Sequence, residues 1–501
     1  MSKPLLCATV TAPTMEELRR RRDGAKGADL VELRLDTVAD PDVGAALAGS
    51  ATPVVVTCRP VWEGGLFRGS EAERRAILAE AIRRGAPYVD VEWRAGFDDL
   101  IRQRHGRGIV LSMHEFSGVP ADLRARAAAM RSTGAEVIKI AVGATRLADW
   151  LPLSALARVA GSKTVVIGMG PAGLPTRVLA ARLGSCWTYA GDAAPGQVSA
   201  ARLLGEFRFR DASPWTAVYG IAGAPLDHSL SPAMHNACFG SLGIDAVYLP
   251  LPTDSADDFL LFAASVGLEG ASVTSPLKVS LAGRVDRLDP LGRRVGAINT
   301  IARSSAGWTG INTDVAGFLQ PLDGRMNLAG ARAAILGSGG AARAAVVALG
   351  SAGAEVSVYA REGGRAAAVA ALAAGRSFTG APRPGTWDVL VNATPVGTFP
   401  DVDETPIRAC DLDGRLVYDL VYNPLRTRLL REAAAAGCAT IGGLDMLVAQ
   451  AEMQAAWWTG HRPPRGLMKR AALCRLEQFA TEDRSGSPLP LTGSRGTGGT
   501  G

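Results

Sequence analysis

Two lysines in this chain sit where an amine could do chemistry. Lys139 lies in Val-Ile-Lys-Ile-Ala-Val, an apolar run of strand character, and Lys278 closes Ser-Val-Thr-Ser-Pro-Leu-Lys. Of 54 basic residues only six are lysines. Where positive charge alone is wanted this protein uses arginine, so a lysine kept inside an apolar run points to an ionisable amine, which a guanidinium does not provide. On a barrel strand alternate residues point inward. Lys139 would then enter a partly desolvated interior where burial and nearby arginines favour the neutral, nucleophilic form. The plain alternative is a lysine snorkelling from a strand end. His114, in Ser-Met-His-Glu-Phe, suits a general acid and base beside that amine, and Glu63, in Arg-Pro-Val-Trp-Glu-Gly-Gly, suits the orienting of an imidazole. Arg34, Arg59 and Arg177 supply positive charge for a carboxylate and hydroxyls; surface ion pairing is their plain alternative.

A second constellation lies further on. Ala-Ile-Leu-Gly-Ser-Gly-Gly-Ala-Ala-Arg (334–343) follows a strand pattern and opens a helical one. In that context Gly337, Ser338, Gly339, Gly340 and Ala341 form a turn that admits a pyrophosphate at a helix N-terminus. The next strand, Val356–Tyr359, runs into Ala360-Arg361 where an NAD site usually places an acid. An acid would repel a 2′-phosphate, whereas Arg361 with Arg365 would pair with it, so the expected cofactor is NADP.

Elements at regular spacing must position these groups. Strands are expected at Leu5–Thr9, Asp29–Leu33, Val54–Arg59, Tyr88–Glu92, Ile109–His114, Val137–Ala141, Thr164–Met169 and Ser185–Tyr189, with helices such as Met15–Arg22, Ala72–Arg84 and Asp122–Thr133 between them. Eight such units in residues 1–207 predict an α/β fold of the (βα)8 TIM-barrel type, with chemistry at the C-terminal rim of the strands. Polar Arg208–Thr216 reads as a linker. Residues 217–321 read as an α/β substrate domain, completed by returning helices in 445–480, and 322–444 as a Rossmann domain. Ala449–Ala480 reads as helical. The Gly/Ser/Thr/Pro-rich end, 481–501, is expected to be disordered.

Composition excludes several classes. No apolar run reaches the roughly 18–20 residues of a membrane span, and Met1–Val10 lacks a signal-peptide layout. Seven scattered cysteines, without Cys-x-x-Cys or Cys/His spacing, indicate neither a disulfide framework nor a metal site; a cytoplasmic location is expected. The net charge of +6 is spread over arginines without aromatic interleaving, which argues against nucleic acid and for anionic small molecules.

The motifs also carry a resemblance. Glu-Leu-Arg-Leu-Asp (32–36), Thr-Cys-Arg-Pro-x-x-Glu-Gly-Gly (57–65), Asp-Val-Glu (90–92), Ser-x-His-x-Phe (112–116), Lys-Ile-Ala (139–141) and Ala-Pro-Gly-Gln (194–197) resemble type I 3-dehydroquinate dehydratase over almost all of 4–205. The resemblance implies an imine between Lys139 and a substrate ketone, proton handling by His114, and substrate contacts from Glu32, Arg34, Arg59, Arg177 and Gln197. The family usually has serine where this chain has Ala193. Gly-Ala-Pro-Leu-Asp-His-Ser-Leu-Ser-Pro-Ala-Met-His-Asn (223–236), Ser-Val-Thr-Ser-Pro-Leu-Lys (272–278), Gly-Ala-Ile-Asn-Thr (296–300), Gly-x-Asn-Thr-Asp-x-x-Gly (310–317), Asn-Ala-Thr-Pro-Val-Gly (392–397), Asp-Leu-Val-Tyr-Asn-Pro (419–424) and Gly-Gly-Leu-Asp-Met-Leu-Val-x-Gln (442–450) resemble shikimate dehydrogenase. That resemblance implies Lys278 and Asp314 as the catalytic pair, with Ser229, Ser231, Thr274, Asn299, Tyr422 and Gln450 around the substrate and Thr394 at the cofactor. Many bacterial relatives have Asn at Ser272; serine there, and the domain order, resemble the fused plant enzymes. The implied function is conversion of 3-dehydroquinate to 3-dehydroshikimate and then, with NADPH, to shikimate. Quinate as a further substrate and a metabolite-sensing regulator are the alternatives; the second predicts lost catalytic residues.

Overall fold

The structure, a computed structural model, describes residues 3–157, 163–194 and 196–484. The chain divides into two compact units, one of Met1–Ala217 with Asp258–Val266, the other of Val218–Asp257 with Gly267–Ala480.

In the first unit eight parallel strands follow one another around a barrel: β1 Leu5–Val10, β2 Leu30–Arg34, β3 Val54–Thr57, β4 Tyr88–Glu92, β5 Ile109–Glu115, β6 Val137–Gly143, β7 Lys163–Met169 and β8 Trp187–Ala190. Hydrogen bonding runs unbroken from β7 back to β1 and on to β8. A bridge between Thr164 and Ser185 joins the remaining edges. Because side chains alternate, the interior is built in layers. Cys7, Leu30, Val55, Val110, Val137, Val165 and Trp187 form an apolar layer, with Tyr88 packed against it. Two residues further along each strand the same face carries Thr9, Glu32, Thr57, Asp90, Ser112, Lys139, Ile167 and Tyr189. The change from apolar to polar within one pleat puts a charged layer directly on a dry floor.

The segment 208–216, expected to be a linker from its polar composition, is not a free tether. Phe209, Ala212 and Thr216 are buried while Trp215 is exposed, and the segment belongs to the unit that precedes it.

The second unit holds two six-stranded sheets. The first comprises β9 Ala217–Gly223, β10 Ala246–Pro252, β11 Leu268–Val273, β12 Arg287–Leu288, β13 Thr300–Ser304 and β14 Gly307–Ile311, ordered β10-β9-β11-β13-β14-β12. The second comprises β15 Arg332–Leu336, β16 Glu355–Tyr359, β17 Arg376–Phe378, β18 Val389–Asn392, β19 Leu416–Asp419 and β20 Ala439–Gly442. Its strands are all parallel in the order β17-β16-β15-β18-β19-β20, the doubly wound arrangement that places a ligand crevice at the β15/β18 switch point. The helical end of the chain is two helices, Gly443–Thr459 and Leu467–Arg484. Gly460, left-handed at φ 73°, caps the first, and Pro463 and Pro464 prevent its continuation. The second helix runs four residues into the tail that was expected to be disordered; 485–501 lie outside the described residues. No helix among the described residues is long and apolar enough to cross a membrane, and none of their His, Cys, Asp and Glu side chains cluster as metal ligands.

Candidate active sites

The barrel site is a continuous ionic network. Lys139 is 5% exposed, with Nζ 3.2 Å from Glu32 Oε1, 3.2 Å from Asp90 Oδ2 and 4.2 Å from the centre of the Tyr189 ring. Thr57 and Thr9 hydroxyls donate to the two oxygens of Glu32 at 3.1 and 3.0 Å. Asp90 Oδ1 accepts from Ser112 Oγ at 2.6 Å and pairs with Arg59 Nη2 at 3.0 Å. Burial alone would raise the Asp90 carboxyl; Arg59 and then Lys139 outweigh it and hold it below the usual carboxylate range. The expectation that arginines press on the amine needs correcting. Arg59 is engaged by Asp90 and Glu92, and Arg34 makes a fork to Asp36 at 2.8 and 2.7 Å. The nearest neighbours of Lys139 are therefore carboxylates, which offer acceptors for the proton the amine must shed before it attacks a carbonyl.

His114 ends β5 with Nδ1 3.0 Å from Glu63 Oε1, and the same oxygen accepts from the His114 backbone N–H at 2.9 Å. Burial, then the charges of Arg59 and Lys139, hold the imidazole well below its ordinary pKa, so it is neutral and able to take a proton. Burial also pushes the Glu63 carboxyl up to about 7. Glu63 reaches His114 from a single turn, Val61–Glu63, that ends on left-handed Gly64. A Cβ on Gly65 would lie 2.1 Å from the Arg59 carbonyl oxygen, so the loop can fold this close only with glycine there.

Arg177 is different. It is 1% exposed, its Nη1 donates only to the Tyr189 carbonyl at 3.4 Å, and its Nε has no partner among the described residues. Burial without a carboxylate beside it pulls its pKa down to about 10. A buried guanidinium lacking a counter-ion is destabilising unless an anion is to be received there. Arg177→Met is therefore expected to raise the melting temperature of the ligand-free protein while weakening binding of a carboxylate substrate about 100-fold. A calorimetric melt and a KM measurement check this; a variant that is less stable and binds normally would make Arg177 a structural residue. Gln197 stands nearby, donating to Thr9 Oγ1 at 3.3 Å and accepting from the Ala194 N–H at 3.0 Å.

The second site is an amine paired with one carboxylate. Lys278 Nζ lies 2.5 Å from Asp314 Oδ2, and Asn299 Nδ2 donates to Asp314 Oδ1 at 2.7 Å. Asn299 also reaches Gln450 Oε1 at 3.2 Å and accepts from the Thr313 N–H at 2.8 Å. Ser231 is buried at the start of the Ser231–Ser241 helix, with its N–H 3.4 Å from Ser229 Oγ. Thr274 follows β11 and Tyr422 follows β19, both half-buried; burial raises the Tyr422 hydroxyl. At the glycine turn Gly337 has φ 113°, and a Cβ on Gly339 would meet nothing within 4 Å, which leaves the approach to the Gly340–Ser351 helix open. Thr394 N–H and Oγ1 both donate to Asn392 Oδ1, at 3.0 and 2.6 Å. Arg361 and Arg365 are exposed past β16; Arg365 pairs with Glu362 at 3.0 Å.

Comparison with known proteins agrees with both halves. A family model described as type I 3-dehydroquinase matches residues 6–214. Models described as the shikimate dehydrogenase substrate binding domain and the shikimate 5′-dehydrogenase C-terminal domain match 221–301 and 443–473. An Arabidopsis thaliana protein named bifunctional 3-dehydroquinate dehydratase/shikimate dehydrogenase, chloroplastic, is 34% identical over 92% of this chain and 83% of that protein. The chain belongs to that bifunctional family. A Methanosarcina mazei protein named shikimate dehydrogenase (NADP(+)) is 40% identical over 52% of this chain and 99% of its own length. A crystal structure of a shikimate dehydrogenase in complex with NADP+ superposes with a TM-score of 0.50 at 32% identity, covering 53% of this chain and 97% of that one.

Within the dehydratase half of this bifunctional chain the structure brings Lys139, Glu32, Arg59, His114 and Glu63 into one network, and turns Arg34 toward Asp36 instead. Sequence reasoning left out Asp90 and Tyr189 as partners of the amine. Their signal was the alternation along β4 and β8, which puts both on the Lys139 layer. In the dehydrogenase half it left out Tyr248 and Gln454. Ser272 accepts from Tyr248 OH at 2.6 Å and donates to Gln454 Oε1 at 2.7 Å. Gln454 in turn donates to the Asn299 carbonyl at 3.1 Å, so the serine links Asn299, the partner of Asp314, to β10.

Proposed function

We propose that this chain dehydrates 3-dehydroquinate to 3-dehydroshikimate in its barrel and reduces that product to shikimate with NADPH in its second unit. The reading rests on one observation: each unit of a single chain holds an amine, buried for Lys139 and half-buried for Lys278, paired with the carboxylates its own chemistry needs. Lys139 adds to the substrate ketone, water leaves, and an iminium forms. His114 takes the proton next to the iminium carbon and returns one to the departing hydroxyl, after which water releases the product and frees the lysine. Arg177 receives the substrate carboxylate, and Glu32, Arg34, Arg59 and Gln197 take the hydroxyls.

In the second unit the positive φ of Gly337, the open face of Gly339 and the exposed Arg361 fit a phosphorylated dinucleotide. NADPH supplies a hydride when bound. The chain's own part is to hold the substrate through Ser229, Ser231, Thr274, Asn299, Tyr422 and Gln450, and to give the proton of Lys278 to the alkoxide oxygen. Asp314 keeps that ammonium aimed. Cytoplasmic placement fits seven unpaired cysteines. The test supplies 3-dehydroquinate and NADPH to the purified chain and measures shikimate. One NADPH consumed per shikimate formed is expected; no shikimate, or shikimate formed equally well with NADH alone, overturns the corresponding part.

Glu63 gives the first reaction a pH signature. With its pKa raised to about 7, the carboxylate that accepts Nδ1–H of His114 predominates only above that value, so dehydratase kcat/KM is expected to rise with pH through about 7. Glu63→Gln should remove the inflection and lower the rate by roughly 10- to 100-fold. An unchanged inflection in that variant would assign it to another group.

A further inference from the structure

Arg74 belongs to the Glu71–Arg83 helix, in a Glu-Ala-Glu-Arg-Arg run that reads as solvated surface. Its side chain is nonetheless fully buried. Phe97 covers the guanidinium at 4.8 Å and Trp62 flanks it at 5.8 Å. A cation buried this way needs carboxylates, and it has two: Nη2 pairs with Glu71 Oε2 at 2.6 Å and Nη1 with Glu92 Oε2. Strands β3 and β4 explain how a helix residue reaches so far in. Their pairing runs from Val55–Tyr88 to Val56–Val89 and stops, although the two segments continue to Arg59 and Glu92. The guanidinium enters where the ladder ends, bonded to the Cys58 carbonyl on one side (3.5 Å) and to Glu92 on the other.

Glu92 passes the contact inward. Its second oxygen accepts from Arg59 Nη1 at 2.8 Å; Arg59 Nη2 holds Asp90, and Asp90 stands 3.2 Å from the Lys139 amine. We infer that Arg74 is a positioning residue of the dehydratase reaction: without touching the substrate it fixes Glu92, and through Glu92 the guanidinium of Arg59. This rests on the dehydratase reading of the barrel. The groups that face Glu92 are Arg74 from the helix, Arg59 and Glu63 from the loop after β3 and Asp90 from its own strand; Ser112 on β5 accepts from Arg59. With Arg74 present Glu92 has two cations and leaves Arg59 shared with Asp90. Without it, Glu92 has Arg59 alone and draws it away from Asp90 and from Glu63, now 4.0 Å from Arg59 Nη1. The loss is then felt at the amine and at the base together, in groups Arg74 never contacts.

The test compares wild type, Arg74→Met, Arg74→Lys and the double variant Arg74→Met/Glu92→Gln. The dehydrogenase rate of the same chain normalises for the amount of chain, and a calorimetric melt reports the folding of the barrel. Arg74→Met is expected to lower dehydratase kcat about 10- to 100-fold with a smaller change in KM, and to move the inflection near 7 to higher pH as Arg59 leaves Glu63. Removing the unmatched charge as well, in the double variant, should restore most of kcat and, because the Glu92 carboxylate itself raises Glu63, bring the inflection back to or below its original pH. If Arg74→Met does not accumulate as soluble protein, Arg74→Lys, which keeps the charge without the fork, carries the same expectations at smaller amplitude. Wild-type kcat and pH profile in a soluble single variant would overturn the inference. So would a loss that Glu92→Gln does not relieve, since the unmatched carboxylate would then not be what draws Arg59 away. A wild-type chain without dehydratase turnover would instead remove the reading on which the inference rests.

Discussion

Lys139→Ala is expected to abolish dehydratase turnover, a fall on the order of 10⁴-fold or more, while leaving reduction of added 3-dehydroshikimate at the wild-type rate. No other amine is near enough to substitute: of the six lysines, only Lys139 lies in the barrel's charged layer, between Glu32 and Asp90. The variant has a second consequence, because it leaves those two buried carboxylates without the cation between them. Some loss of barrel stability will accompany the loss of activity. Lys139→Met, which fills the space and keeps the contact with the Tyr189 ring, separates the two effects. The covalent step has its own readout. Borohydride added during turnover should fix the reduced substrate to wild type, seen as one mass increment on the peptide that carries Lys139, and should leave either variant unlabelled. Labelling of the variants at wild-type level would sink the imine assignment, whatever the rates.

The period-2 pattern of the strands made the inward position of Lys139 and the rim position of His114 legible, because alternation is a local property. Who stands beside the amine is not local. Glu32 and Asp90 are 107 and 49 residues away from Lys139, and only the closing of the barrel fixes their distances. The pairing of Arg34 has the opposite scale: Asp36, two residues on, engages it within one turn after β2, and strand periodicity says nothing about such turns. Arg74 was hidden by its company, since a buried arginine in a charged helical run has the same letters as a solvated one. The glycine turn at 337–340 was legible because its demands are steric and confined to adjacent residues.

Lys278→Met is expected to lower dehydrogenase kcat by about 10²- to 10⁴-fold, the usual worth of a positioned general acid, with dehydratase activity intact. From 3-dehydroquinate and NADPH the variant should therefore accumulate 3-dehydroshikimate, measurable by the absorbance of its conjugated enone. Methionine is the informative choice because the lysine stem also has a packing role: a Cβ on Gly340 would lie 2.7 Å from Lys278 Cδ, so the stem lies directly against the first residue of the nucleotide-facing helix. Alanine would open that contact and disturb NADPH binding together with proton delivery, whereas methionine keeps an apolar stem there and removes only the amine. Asp314→Asn tests the other partner. It keeps an acceptor for Asn299 but loses the charge that holds the ammonium at 2.5 Å, so its defect should fall in kcat and be smaller than that of Lys278→Met. If Lys278 donates the proton in the step that limits the rate, the solvent isotope effect on wild-type reduction should disappear or change in the methionine variant, while NADPH affinity stays within about threefold. A variant that reduces 3-dehydroshikimate at the wild-type rate would show that another group, or water held by Asp314, protonates the alkoxide.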